Sequence, residues 1–220
     1  MLAWHTTLTC YGFWLPNDPR GSKSRRVRVA AIREHGEATW VDTNHSVAAV
    51  PHDYAVRRQA KESLVRGPVM LSGEQALAVS QGIADYCRLH EIAIWAYAIT
   101  TDHVHLLTAV PHLDRTRFVA KLKEAATRRL VERGLHPEQN RQPRRTPWSR
   151  GKWVVFVRTA KHLQSTLAYI ERNPQNAGLP PQTWSFVERF GRDRDSASDD
   201  ALSRTPSGVA ASACEKKGDA

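Results

Sequence analysis

Two histidines one residue apart, His103 and His105 in the run TDHVHLLTAV, are the side chains of this sequence best suited to chemistry. Side chains alternate along a strand, so both imidazoles leave one face while Val104 leaves the other. Two such rings, about 7 Å apart along a strand, can converge on one divalent metal. The plainer reading of a bare HxH is an exposed pair on a sheet surface. The apolar run that follows, and the tight turn at Thr101-Asp102 just before, speak against a solvated pair.

Tyr169 is the second candidate. Leu163, Leu167 and Ile170 share one stripe at helical spacing, and Tyr169 falls well off it. Asn173 lies four residues on and His162 seven residues back, on the same flank. Such a tyrosine commonly does no more than pack. A phenol becomes a nucleophile when its proton is removed and the phosphate under attack is polarised by a metal. An asparagine one turn away offers that metal an oxygen. No clear general base stands out; His162 is a candidate that could equally contact phosphate.

These residues need a sheet and a helix to hold them. A Thr- and aromatic-rich strand is predicted over 2–11, followed by the loop GFWLPNDPRGS. A mixed, charged segment over about 21–71 reads as an insertion, with a short helix over 53–64. Ser72, with Gln75 in the capping-box position, starts a helix that runs to about His90. Strands follow over 92–100, with Ile94, Ala96 and Ala98 alternating against Trp95, Tyr97 and Ile99, and over 103–110. Asp114 or Thr116 caps a helix to about Arg133. A Pro- and Arg-rich loop covers 134–149, a strand 153–157, and a last helix 160–172 that Pro174 should stop. The order predicts an α+β fold of the ferredoxin-like split βαβ type, an antiparallel sheet with helices packed on one face. A single domain over 1–190 is expected. The Ser-, Asp- and Ala-rich stretch 191–220 is expected to be disordered.

The 220 residues carry a net charge of +10, which points to a polyanionic partner, nucleic acid first and an anionic membrane surface second. The excess is concentrated: between Arg115 and Lys161 fourteen Lys or Arg face three acids. A solvated helix face is the bland explanation, but the arginines run on into a proline-broken loop, which favours phosphate contact. Arg128, Arg129, Arg141, Arg144, Arg145, Arg150 and Lys152 are the candidate DNA contacts, and Trp14, Trp148 and Trp153 could stack on unpaired bases. Three separated cysteines without a CxxC pair support neither a zinc ribbon nor a disulfide framework, so a reducing, cytoplasmic setting is expected. Neither a signal peptide nor an apolar run of about 18 residues is visible.

TDHVHLLTAV taken together with YIERNPQNAGL resembles the HUH single-tyrosine transposases, and most of all the branch associated with repeated extragenic palindromes in bacterial genomes. TCYGFWLPNDPRG, WSRGKWVVFVRT and Trp184-Ser185 agree, so the resemblance covers most of 2–187. It implies that His103 and His105 hold Mg²⁺ or Mn²⁺, that Asn173 completes the metal site, and that Tyr169 attacks a DNA phosphate to form a 5′-phosphotyrosine link. It also implies single-stranded or hairpin DNA as partner, a role in transposition and DNA recombination, and a homodimer as one possible assembly. The alternatives are a domesticated protein that binds hairpin DNA without cutting it, a metal hydrolase of another class built on the same HxH, and a replication or relaxase role. The inserted segment 21–71 matches no motif.

Overall fold

A computed structural model of the chain describes residues 1–43, 47 and 50–190; the stretch expected to be disordered lies outside them. Four strands, β1 (Ala3–Thr9), β2 (Ile94–Ile99), β3 (His103–Thr108) and β4 (Trp153–Val157), form one antiparallel sheet in the order β2-β3-β1-β4. With α3 (Gly73–Leu89) between β1 and β2, and α4 (Arg115–Glu132) between β3 and β4, this is the expected split βαβ order. Two short helices, α1 (Ala30–Arg33) and α2 (Tyr54–Glu62), precede α3, and α5 (Ala160–Asn176) follows β4.

The local signals act where the chemistry of the chain places them. Ser72 and Gln75 form the reciprocal capping box of α3, Asp53 caps α2, and of the two candidates for α4 it is Asp114 that accepts from the Thr116 and Arg117 amides. α5 does not stop before Pro174. It continues for two more residues and ends on a Schellman motif, with Leu179 N–H donating to Pro174 C=O, Gly178 N–H to Gln175 C=O, and Gly178 at φ +74°. The proline costs one helical hydrogen bond so close to the end, and burial of Asn173 and Pro174 offsets it.

The sheet separates two apolar layers. Leu8, Val104, Leu106, Tyr97 and Ile99 face α3 and α4, where Val79, Ile83, Phe118, Leu122 and Leu130 meet them. Ala3, Ala96, Ala98, Leu107 and Val157 face the other way, onto Leu163 and Ile170 of α5. The helices expected on one face are therefore α3 and α4, while α5 covers the other. Its small partners Ala96 and Ala98 let it approach the sheet closely. A bulge between Ile94 and Ala96 breaks the simple alternation expected of β2 and turns Ile94 toward the α3 layer. The outer edge of β2 is not open: the Gln182 side chain pairs with the backbone of Ile99 in both directions.

The segment after β1 has a small core of its own, built from Leu15, Val27, Ile32 and Ala60. Beside it the buried Asp18 carboxylate accepts two hydrogen bonds from the Arg20 guanidinium at 2.8 Å and lies 3.5 Å from Arg57.

Candidate active site

The face of the sheet under α5 carries a polar stripe at one end. On β3 it presents His103 and His105, and β1 sets Thr9 opposite His103, Thr7 opposite His105 and His5 opposite Leu107. α5 lays Tyr169 and Asn173, one turn apart, over this stripe. Asn173 Oδ1 is 3.2 Å from His103 Nε2, and the Tyr169 hydroxyl is 3.5 Å from His105 Nε2, the outer limit of a hydrogen bond. The two imidazoles meet edge to face with centroids 4.8 Å apart. The structure thus brings all four expected residues together, within one chain.

Each imidazole is held from behind. His103 Nδ1 is 2.8 Å from Asp102 Oδ1 and 2.8 Å from Thr100 Oγ1. His105 Nδ1 is 3.0 Å from Thr7 Oγ1 and 3.1 Å from His5 Nε2. Such partners fix the ring proton on Nδ1 and turn the Nε2 lone pair toward the site, as the outer shell of a metal centre does. Burial, then the neighbouring His103 and His5, drives the His105 pKa well below the ordinary histidine value. Burial, then His162, lowers that of His5 to about 4. Both rings are consequently neutral at neutral pH. Burial pushes the Asp102 pKa up, but hydrogen bonds from His103 and Thr100 outweigh it, and the carboxyl ends below its usual range.

The donor set fits a cation. With His103 protonated on Nδ1, Nε2 faces Asn173 Oδ1 as lone pair against lone pair, which a bridging cation relieves; a rotated Asn173 amide, offering Nδ2–H, is the other solution. Among the described residues no three His, Cys, Asp or Glu are grouped to hold a metal ion, and the oxygen beside the imidazoles is that of the Asn173 amide. Two imidazoles with one amide oxygen leave further positions for phosphate or water.

The candidate DNA contacts divide. Arg128 and Arg129 sit on α4, in the layer across the sheet from the site, where Arg129 is tied to Asp85 of α3 and both approach Glu132. They are not brought to the histidines. Arg141, Arg144 and Arg145 lie in the loop after α4, with Arg141 3.6 Å from Glu138. Arg150 and Lys152 precede β4 at the site's end of the sheet, since Ser149 pairs with Thr9 and Trp153 stands opposite Thr7, but the Lys152 ammonium turns to the other face and donates to Thr116 Oγ1 of α4. His162 lies in the first turn of α5, close enough to His5 to lower its pKa. Trp148 is not a stacking platform: it is fully buried, and its indole N–H lies 3.0 Å from Thr127 Oγ1 and 3.2 Å from Lys123 C=O. Trp14 is half-buried under the Arg20 guanidinium, whereas Trp153 is half-buried on the site's own face.

Two neighbours of the site escaped the sequence reading. His5 supports His105, and its ring centroid is 6.0 Å from that of Tyr169. Phe13 stacks on His103 with centroids 4.9 Å apart and planes 18° from parallel. Gly12 allows the second: it has φ +79°, and a Cβ there would come within 2.9 Å of Leu64 and of the Pro68 backbone, so only glycine turns the chain back over the site. The alternation Ala3, His5, Thr7, Thr9 was the available signal for His5, but its value depends on the register with β3.

The sequence profile of the family described as "Transposase IS200 like" matches residues 66–173, a span that contains His103, His105 and Tyr169 and ends on Asn173. Residues 66–173 belong to the IS200-like transposase family. Two solved structures are similar to it. One, described as a REP-associated tyrosine transposase bound to a REP hairpin, shares 14% identity at a TM-score of 0.42, over 86% of this chain and 92% of that one. The other, a putative transposase from Deinococcus radiodurans, shares 18% identity at a TM-score of 0.40, over 78% of this chain and 89% of that one. No curated protein matches the chain. Among the described residues no helix is long and apolar enough to cross a membrane.

Proposed function

We propose that this chain cleaves single-stranded DNA through Tyr169 and transfers the cut strand, acting on hairpin or palindromic DNA. The observation that carries the reading is the convergence of His103 Nε2, His105 Nε2, Asn173 Oδ1 and the Tyr169 hydroxyl. In the cleavage step the Tyr169 oxygen bonds to phosphorus and the bond from phosphorus to the 3′ oxygen breaks. A 5′-phosphotyrosine forms, and the phenol proton is balanced by the one gained on the released 3′-hydroxyl. Attack by another 3′-hydroxyl reverses the step and joins a new strand.

His103, His105 and Asn173 would hold Mg²⁺ or Mn²⁺, which when bound draws charge off a nonbridging phosphate oxygen and orients the scissile bond. Everything else falls to the chain itself. Thr7 and His5 keep the His105 proton on Nδ1, Asp102 and Thr100 do the same for His103, and the Thr159 cap and the Schellman turn fix α5 at both ends. Arg150, with the loop arginines Arg141, Arg144 and Arg145 and with His162, attracts the backbone. Trp153, on the site's face with Lys23 5.3 Å from its ring, offers a flat surface to an unpaired base.

Covalent capture tests the reading. Labelled hairpin DNA is incubated with the protein in Mg²⁺, Mn²⁺ or chelator and run on a denaturing gel. A metal-dependent protein–DNA adduct that disappears in Tyr169→Phe and His103→Ala is expected, with DNA binding retained in Tyr169→Phe. DNA binding without an adduct across a broad hairpin set would overturn cleavage and leave a DNA-binding protein.

A further inference from the structure

Among the described residues the ammonium of Lys61 has no ion-pair partner within 4 Å. It belongs to α2, in the inserted segment and before the span that the family profile matches. Its side chain is half-buried, yet among the described residues it forms no ion pair and no side-chain hydrogen bond. What it faces is the site. Lys61 Nζ lies 5.9 Å from the Phe13 ring, and Phe13 in turn stacks on His103. Burial, then the like charge of Arg57, pulls the Lys61 pKa down, while Asp102 and Asp18 push it back up.

Arg57, one helical turn earlier on α2, shares that side of the helix. It is committed to the buried Asp18 at 3.5 Å, which fixes α2 against the loop after β1. Arg20 uses the same carboxylate through a paired, 2.8 Å contact. Arg57 and Arg20 thus share Asp18, while among the described residues Lys61 makes no direct ion pair. A half-buried, unpaired lysine is unfavourable without an anion to meet it. A DNA strand threaded to Tyr169 would bring one.

We propose that Lys61 is a substrate-binding residue: its ammonium takes a nonbridging oxygen of the backbone phosphodiester lodged on the His103 side of the site, with Phe13 as the apolar wall between them. The inserted segment then supplies a contact that the sheet and α5 do not. The inference rests on the reading of the site as a single-stranded DNA centre.

The test is the salt dependence of binding, followed by the fluorescence anisotropy of a fluorescein-labelled, mixed-sequence single-stranded oligodeoxynucleotide without divalent ions. Each neutralised phosphate contributes about 0.7 to the slope of log affinity against log salt concentration for single strands. Lys61→Gln should lower the wild-type slope by about that amount, and Lys61→Arg, which keeps the charge, should restore it. A Lys61→Gln slope equal to wild type, or a loss that Lys61→Arg fails to recover in a protein with native circular dichroism, overturns the role of Lys61 while leaving the single-strand reading standing. A wild-type protein that binds no single-stranded DNA overturns both.

Discussion

Removing the Asp102 carboxylate should weaken divalent-metal binding by a predictable amount. Asp102 Oδ1 accepts from His103 Nδ1 at 2.8 Å, and Thr100 Oγ1 lies at the same 2.8 Å from that nitrogen. A hydrogen bond to a charged group contributes about 1.5–3 kcal/mol and a neutral one about 0.5–1.5 kcal/mol. In Asp102→Ala the threonine hydroxyl remains, so the net loss of orientation and basicity at His103 is about 1–2 kcal/mol. That corresponds to Mn²⁺ affinity about 5- to 30-fold weaker, overlapping the lower part of the range of about 10- to 100-fold found for outer-shell partners of metal-bound histidine. Asp102→Asn, which keeps an acceptor oxygen but not the charge, should fall between. Thr100→Val combined with Asp102→Ala should exceed the single change, because the ring then has no partner at Nδ1. The assay is isothermal titration of the metal-free protein with Mn²⁺ in the absence of DNA. Folding should survive, since the Asp102 carbonyl that accepts from the Cys10 amide is backbone and stays in every variant. Asp102→Ala binding Mn²⁺ within a factor of about two of wild type would refute the claim that this carboxylate prepares His103 as a ligand.

Two further changes test the frame around the site. Gly82→Ala on α3 would place a Cβ 2.6 Å from the Ala125 carbonyl oxygen of α4, which is rigid backbone. The clash should outweigh the gain in helix propensity and cost about 1–3 kcal/mol net, read as a lower midpoint in urea unfolding; an unchanged or raised midpoint would contradict the packing. Acid should destabilise the metal-free protein before its carboxylates titrate. His5 has its pKa lowered from 6.5 to about 4, so the unfolded chain binds a proton that the folded one refuses in that window. Stability should be flat above pH 6.5 and fall as pH drops toward 4, by about 2–3 kcal/mol from His5, with His105 acting in the same direction. His5→Gln should flatten that slope; an equal slope in the variant would show that His5 is not the group responsible.

How far the site was legible in the sequence follows from which periodicities are local. The strand period alone puts His103 and His105 on one face, and the helical period alone puts Tyr169 and Asn173 together off the apolar stripe. Bringing the two pairs into contact needs α5 on the sheet, which Leu163 and Ile170 secure by burial against Ala96, Ala98 and Leu107. His5 was out of reach because its place beside His105 depends on the β1–β3 register, a non-local quantity. Phe13 lies in a loop whose course is set by the fold, and Lys61 in the segment 21–71, which matches no motif, so only the folded chain shows where they point. The concentration of arginines misled in part: Arg129 belongs to the α3–α4 contact through Asp85, a use of charge that composition cannot separate from DNA binding.

The distribution of rigidity explains why the site lies where it does. Chemistry by an aligned nucleophile tolerates little misplacement, and groups on strands and helices hold position better than groups on loops. Here both histidines are on β3, the tyrosine and the amide are on α5, and the two elements share a buried apolar layer a few residues away. That layer is made largely of alanines on the β2 side, which brings α5 down until Asn173 Oδ1 reaches within 3.2 Å of His103 Nε2. The price is that a larger side chain at Ala98, directly opposite His105 in the sheet, would lift the helix and open the site without changing His103, His105, Tyr169 or Asn173. Phe13, on the loop after β1, and Lys61, on the short helix α2, lie outside this rigid frame. Because α5 belongs to the same chain as the histidines it covers, this alignment needs no second subunit.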